Sequence, residues 1–189
     1  MMLRRVFLAT LFILASERAY AQPGGTLGLF NDAAGSDCHL TESLPSLIEV
    51  FVVHQMAANV FGVDFSVPIP SCAGTISWLS DSATNQTGTT VGFSPVGVTV
   101  GYAECISSAF VALRILYISA GPTEPCCELA VLPHPTTVPN GPRLQAATCN
   151  GELIPVNGGV GYFNGNAGCA CAIPVSSSTW GRVKSLYVE

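Results

Sequence analysis

The chain predicts an all-β fold: an antiparallel β-sandwich with disulfides and a short C-terminal helix. Three observations carry this. Apolar residues recur at every second position over much of the chain, the period of a strand with one buried face. Turn-forming residues separate these runs at short intervals. Eight cysteines follow an N-terminal export signal, and an even count in that setting marks a disulfide framework.

The strands come first. Phe61, Val63, Phe65 and Val67 share one face, with Gly62, Asp64 and Ser66 on the other. Val96, Val98, Val100 and Tyr102 alternate with Gly97, Thr99 and Gly101. Val111, Leu113, Ile115 and Tyr117 alternate with Ala112, Arg114 and Leu116. Residues 47–53 are apolar on both faces apart from Glu49, which suits a strand in the middle of a sheet. Shorter strands are expected at 26–30, 75–79, 89–93, 127–132, 143–148, 152–156 and 160–163. Asn150-Gly151 lies between two of them and reads as a hairpin turn, because both residues tolerate positive φ. Asn164-Gly165-Asn166 marks another turn, and prolines at 68, 70, 122, 125, 133, 135, 139 and 142 punctuate the joins. Many short strands with close turns favour a sandwich over a closed barrel.

The export signal has three parts. Arg4 and Arg5 form a basic start, residues 6–15 an apolar run, and Ala19-Tyr20-Ala21 a small-x-small cleavage pattern. The run is too short to span a bilayer, and no later stretch is long enough, so no membrane span is expected. Residues 1–21 are read as a signal peptide, and N-terminal sequencing of exported protein is expected to begin at Gln22. Intact Met1 on exported material would overturn that reading. Of 7 basic and 12 acidic residues, removal of Arg4, Arg5, Arg18 and Glu17 leaves four basic against eleven acidic, a net charge of −7. A chain so acidic, with no basic cluster, excludes nucleic acid and anionic membrane as natural partners.

Three further segments are expected. Residues 22–133 form the sandwich. Residues 143–175 form either a small cysteine-rich β lobe behind the proline-rich stretch 133–142, or a continuation of the same sandwich. In residues 176–189, Ser176 to Thr179 offer helix caps, and Trp180, Val183, Leu186 and Tyr187 fall on one helical face. That stripe packs on the sandwich or is recognised by a partner, with Trp180, Lys184 and Tyr187 the candidate contacts.

The chemistry-bearing residues are Cys38, Cys72, Cys105, Cys126, Cys127, Cys149, Cys169 and Cys171. Four bridges allow 105 pairings, and sequence alone does not choose among them. The expected set joins Cys72 to Cys105, Cys149 to Cys169, one of Cys126 and Cys127 to Cys171, and the other to Cys38. Vicinal Cys126-Cys127 do not bond each other, since that strains the intervening peptide. Neither that pair nor Cys169-Ala170-Cys171 has a cation beside it in sequence to lower a thiol pKa, and the spacings do not repeat as in a zinc site. No metal or other cofactor is expected. His39, His54 and His134 have no acid or nucleophile paired with them in sequence, and His54 is expected as a hydrogen-bonded residue at a strand end. Oxygen-rich loops at 31–37 and 81–85 match no calcium motif, and turns account for their composition. Asn85-Gln86-Thr87 is a glycosylation sequon, relevant only in a eukaryotic host.

Several strings together resemble a family of uncharacterised secreted bacterial proteins. They are Gly28-Leu29-Phe30 with Asp32 and Cys38, residues 50–54, Trp78-Leu79-Ser80-Asp81, residues 98–102 with Cys105, Cys126-Cys127, and the tail from Thr179 to Tyr187. The tail carries the pattern tryptophan-glycine-x-x-lysine-x-leucine-tyrosine. The resemblance implies Gram-negative export to the periplasm or the cell exterior, and it brings no activity or functional residue with it. The run from Val50 to Val67 is faintly similar to early strands of cohesin-type sandwiches, which by analogy implies adhesion or assembly. The reading is a secreted, non-enzymatic protein that binds or assembles with a surface protein or polysaccharide. The alternatives are a carbohydrate- or calcium-dependent binding module, and a secreted thiol-disulfide or hydrolytic enzyme.

Overall fold

The structure, a computed structural model, describes residues 24–44, 46–55, 57–85, 87–136 and 143–171. In chain order the first seven strands are β1 (Thr26–Phe30), β2 (His39–Leu40), β3 (Glu42–Leu44), β4 (Leu47–Gln55), β5 (Val60–Phe65), β6 (Ile76–Ser82) and β7 (Thr87–Phe93). The others are β8 (Gly97–Ile106), β9 (Phe110–Ser119), β10 (Cys127–Ala130), β11 (Gln145–Thr148), β12 (Leu153–Pro155), β13 (Asn157–Gly158) and β14 (Val160–Phe163). The one helical element among the described residues is a 3-10 turn at Ser71–Ala73. The expected C-terminal helix, with Trp180, Lys184 and Tyr187, lies outside the described residues, as does the expected signal peptide.

Two main sheets form the sandwich. The first runs β13-β1-β4-β9-β6, with β3 also on β4; the second runs β12-β11-β5-β8-β7; a small third sheet runs β10-β14-β2. Most ladders are antiparallel, while β1 pairs β13 and β2 pairs β14 in parallel. β4 lies between β1 and β9, the central place its two apolar faces suggest. The ladders cross the proline-rich stretch 133–142, since β11 pairs β5 and β13 pairs β1.

The inner faces meet in one core. β4 contributes Ile48, Val50 and Val52, and β9 contributes Leu113, Ile115 and Tyr117. Facing them are Val63 and Phe65 of β5, Val98, Val100 and Tyr102 of β8, and Ala146 of β11. The strict alternation expected of β9 breaks at its start. The pairing of Val52 with Leu113 is followed by that of Val53 with Val111, so Ala112 is an extra residue. The bulge turns Val111 to the outer face, where it packs with Phe30, Cys38 and Val53 in a second small cluster. A register break between Val60 and Gly62 likewise buries Val60 and leaves Phe61 half exposed, against the expectation that Phe61 faces inward. Val96 also departs from its expected face: it sits in the turn before β8 and is exposed. The Asn150-Gly151 hairpin forms as expected, with Gly151 at φ 82° joining β11 to β12.

His54 is fully buried at the end of β4. Its Nε2–H donates to the Gly24 carbonyl at 2.6 Å, and its Nδ1 accepts from the Tyr102 hydroxyl at 2.9 Å. Both ring nitrogens are therefore satisfied by a neutral imidazole, and Phe110 packs beside the ring.

Candidate functional site

All eight cysteines are paired, as expected, and the pairing differs from the expected one throughout. The bridges are Cys38–Cys171, Cys72–Cys127, Cys105–Cys149 and Cys126–Cys169. The physical reason is the integrated sheet order. β10 carries Cys127 to the core beside the 3-10 turn bearing Cys72, and the hairpin before β12 brings Cys149 to the end of β8. Cys126, in a left-handed conformation at φ 56°, points away from its neighbour towards Cys169. The vicinal cysteines thus serve different partners.

The oxygen-rich loops hold themselves together. Asp32 accepts from Ser36 N and Oγ and from Asp37 N, at 2.8–3.3 Å. Burial raises its pKa and is the largest single influence, but the donors of Asp37, Ser36 and Ala34 together hold it below the usual carboxylate value. Asp81 accepts the Trp78 indole N–H at 2.9 Å and both the N–H and hydroxyl of Ser94. Asp32 thus staples its own turn, while Asp81, on β6, ties that strand to Ser94; carboxylates so engaged by donors are a poor starting point for a calcium-dependent module.

The histidines separate. His54 is sealed in the core with Tyr102 and has no acid or nucleophile beside it. Burial pushes its pKa below 6.5, against the Gly24 carbonyl bond. Its position matches the hydrogen-bonded strand end expected of it. His134 lies against Gly97 and accepts from Thr136. His39 is different. Its Nδ1 is 2.9 Å from Asp37 Oδ1, its Nε2 is 3.2 Å from the Cys169 carbonyl, and Cys171 Sγ is 3.8 Å from Nε2. Cys38, His39 and Cys171 bring ligand-type atoms within 4.8 Å of one another. Both sulfurs are engaged in one disulfide, so the group fits no metal as it stands. No cation stands near Cys171 in sequence because His39 is 132 residues away; the adjacent Asp37-Cys38-His39 triplet is the one local signal of this cluster.

The second feature is a face. In the second sheet, Leu153, Ala147, Gly62, Gly101 and Thr89 stand in one cross-strand row. Pro155, Gln145, Asp64, Thr99 and Val91 stand in the next. Their alternation with buried Val63, Val98 and Val100 puts both rows on the outside of the sandwich. The paired glycines leave bare backbone as the floor of a groove of about 250 Å³. Its ends are apolar: Leu153 and Val91 are each 65% exposed and Phe61 is 50% exposed. Asp64 is the one charged residue in the two rows. No element among the described residues covers this face. The first sheet instead carries the Arg114–Glu49 ion pair and the small apolar cluster on its outside. A further cleft of about 240 Å³, lined by Leu40, Ile48, Ser119 and Thr123 among others, contains no ionisable side chain.

Three large aromatic side chains, Tyr102, Tyr117 and Trp78, are turned inward or engaged. Tyr102 and Tyr117 are buried in the core, as their alternation suggested, and Trp78 packs edge-on against Phe93. Burial and the nearby Asp81 carboxylate both push the Tyr117 pKa above its usual range.

Fold and site define a disulfide-framed β-sandwich with one open sheet face. No protein-family model and no curated protein matches the chain. Among solved structures it is similar to cohesin modules. A non-cellulosomal cohesin of Archaeoglobus fulgidus is 14% identical, with 76% of this chain and 91% of that chain covered and a TM-score of 0.46. The sixth cohesin of Acetivibrio cellulolyticus scaffoldin B, solved with a Cel5 dockerin, is 14% identical, with coverage of 76% and 99% and a TM-score of 0.49. A cohesin module from a Clostridium perfringens family 33 glycoside hydrolase is 8% identical, with coverage of 75% and 99% and a TM-score of 0.48. No helix among the described residues is long and apolar enough to cross a membrane.

Proposed function

We propose that this chain is an exported, non-catalytic binding module of the cell surface or periplasm, and that its partner is another protein docking on the open face of the second sheet. The observation that carries the reading is the face itself. It is a groove floored by Gly62 and Gly101, apolar at both ends, and carries Asp64 alone in a chain with a large acidic excess. Exposed apolar surface of this kind on a soluble domain marks an interaction site. A fitting partner presents an apolar segment with a basic or amide group opposite Asp64. Polysaccharide fits less well, because Phe61 is the one ring at the groove and sugar stacking wants broad aromatic platforms. Export by the signal at residues 1–21 accords with four disulfides, which persist in oxidising compartments. The tail residues Trp180, Lys184 and Tyr187 are a second contact in this proposal.

The test places charge and bulk on the face. Thr99→Arg with Ala147→Arg is expected to cut retention on exporting cells by about tenfold, the loss of one well-packed contact region. The melting temperature should stay within about 3 °C, because both positions point outward. Unchanged retention with a folded double variant would remove the face from the proposal.

A further inference from the structure

From the constellation around His39 we infer that the Cys38–Cys171 bridge is a thiol-exchange site, distinct in chemistry from the other three bridges and independent of the docking face. Its substrate class is a thiol, small or protein-borne.

Geometry sets it apart. Asp37 Oδ1 meets Nδ1 of His39 at 2.9 Å, and the Cys169 carbonyl meets Nε2 at 3.2 Å. Both partners are acceptors, so both bonds form together only when each ring nitrogen carries a proton. The imidazole lies 3.8 Å from Cys171 Sγ and within 4.8 Å of Cys38 Sγ. A cation beside a sulfur favours thiolate, and a better leaving thiolate speeds exchange. Access is one-sided: Cys171 is half-buried, whereas Cys38 is 2% exposed against Phe30 and Val53. Around His39 the titratable groups are Asp37 in its own loop, Tyr162 opposite it on β14 and Glu128 one strand further on β10. His39 also meets the neighbouring Cys126–Cys169 bridge, there through the Cys169 carbonyl rather than a sulfur.

The chemistry follows from that access. An incoming thiolate attacks Cys171 Sγ. A sulfur–sulfur bond forms between attacker and Cys171, the Cys38–Cys171 bond breaks, and its electron pair leaves on Cys38, which takes a proton from His39. A second thiolate then displaces Cys171 from the mixed disulfide. The protein bridge is reduced to two thiols while two thiol molecules are oxidised to one disulfide.

Mature protein treated with dithiothreitol, quenched by alkylation and mapped by mass spectrometry tests this. Cys38 and Cys171 are expected to be labelled first, about tenfold faster than Cys105 and Cys149, although Cys105 is the more exposed residue. His39→Gln should lower their rate about tenfold, and Asp37→Asn should give a smaller drop of about threefold. Opening of Cys105–Cys149 first, or an unchanged rate in folded His39→Gln, overturns the inference. If near-ultraviolet circular dichroism shows His39→Gln to be unfolded, Asp37→Asn decides: an unchanged rate overturns the inference and a lowered one supports it.

Discussion

Complete reduction and alkylation of the four bridges is expected to unfold the protein at room temperature. The bridges close loops of 43, 44, 55 and 133 residues by sequence separation. In the chain-entropy account each alone restricts the unfolded chain by about 4–5 kcal/mol, and measured values of about 2–5 kcal/mol are usual. Even the low end, taken four times, matches the whole stability of a typical domain, about 5–15 kcal/mol. The bridges are also unequal. Cys127 is buried in the main core, so Cys72→Ser with Cys127→Ser leaves a cavity and a polar group as well as a longer unfolded chain. Cys105 is exposed, and removal of its bridge should be the mildest loss. Thermal melts of oxidised, reduced and single-bridge variants read these differences. A reduced, alkylated protein that still melts cooperatively within about 10 °C of the oxidised form would contradict the argument.

Substitution of His54 is the second large effect. His54→Ala removes a ring packed against Tyr102 and Phe110 and strands the Gly24 carbonyl and the Tyr102 hydroxyl without partners. Aromatic-to-alanine truncation in a core costs about 3–5 kcal/mol, and an orphaned buried polar group adds about 1–3 kcal/mol. The same residue gives stability a pH dependence. Burial lowers the folded-state pKa of His54 below 6.5. Below that value the unfolded chain takes up a proton that the folded one refuses. The contribution of His54 is therefore complete above about pH 6.5 and drains away as pH falls towards the folded-state value. His54→Phe keeps a ring and loses the proton, so the slope of melting temperature against pH between about pH 6.5 and about pH 5 should flatten in that variant. An identical slope in both proteins would assign it to other groups.

The strands were legible where alternation was regular. Val98, Val100 and Tyr102 on β8, and Leu113, Ile115 and Tyr117 on β9, face the core as their spacing implies. Alternation misled where the backbone inserts a residue: Ala112 turns Val111 outward, and the break after Val60 exposes Phe61. Such bulges leave no compositional trace in a run of β-branched and apolar residues. The open face was hidden for a similar reason. Gly62, Gly101 and Ala147 become a surface only when three strands far apart in sequence align in register. His54 was readable as a satisfied strand-end residue from its place after Val53. His39 was not readable as a neighbour of Cys171, since proximity across 132 residues is a property of the closed fold. The bridge pairing failed on the same ground: the expected Cys72–Cys105 and Cys149–Cys169 bridges join residues near in sequence, while the interleaved sheet order brings Cys72 to Cys127 and Cys149 to Cys105.

That interleaving bears on how the molecule is made. A chain emerging N-terminus first presents its cysteines in the order 38, 72, 105, 126, 127, 149, 169, 171. Coupling each to the next as it arrives yields none of the native bonds, and Cys38 has no native mate until 133 residues later. Early oxidation therefore locks in wrong partners, and production depends on a catalyst that reshuffles bonds, with rates set by exchange rather than by collapse of the sheets. Yield in a host lacking such an isomerase should fall to scrambled, protease-sensitive species. Supply of the isomerase, rather than of oxidant, should restore it.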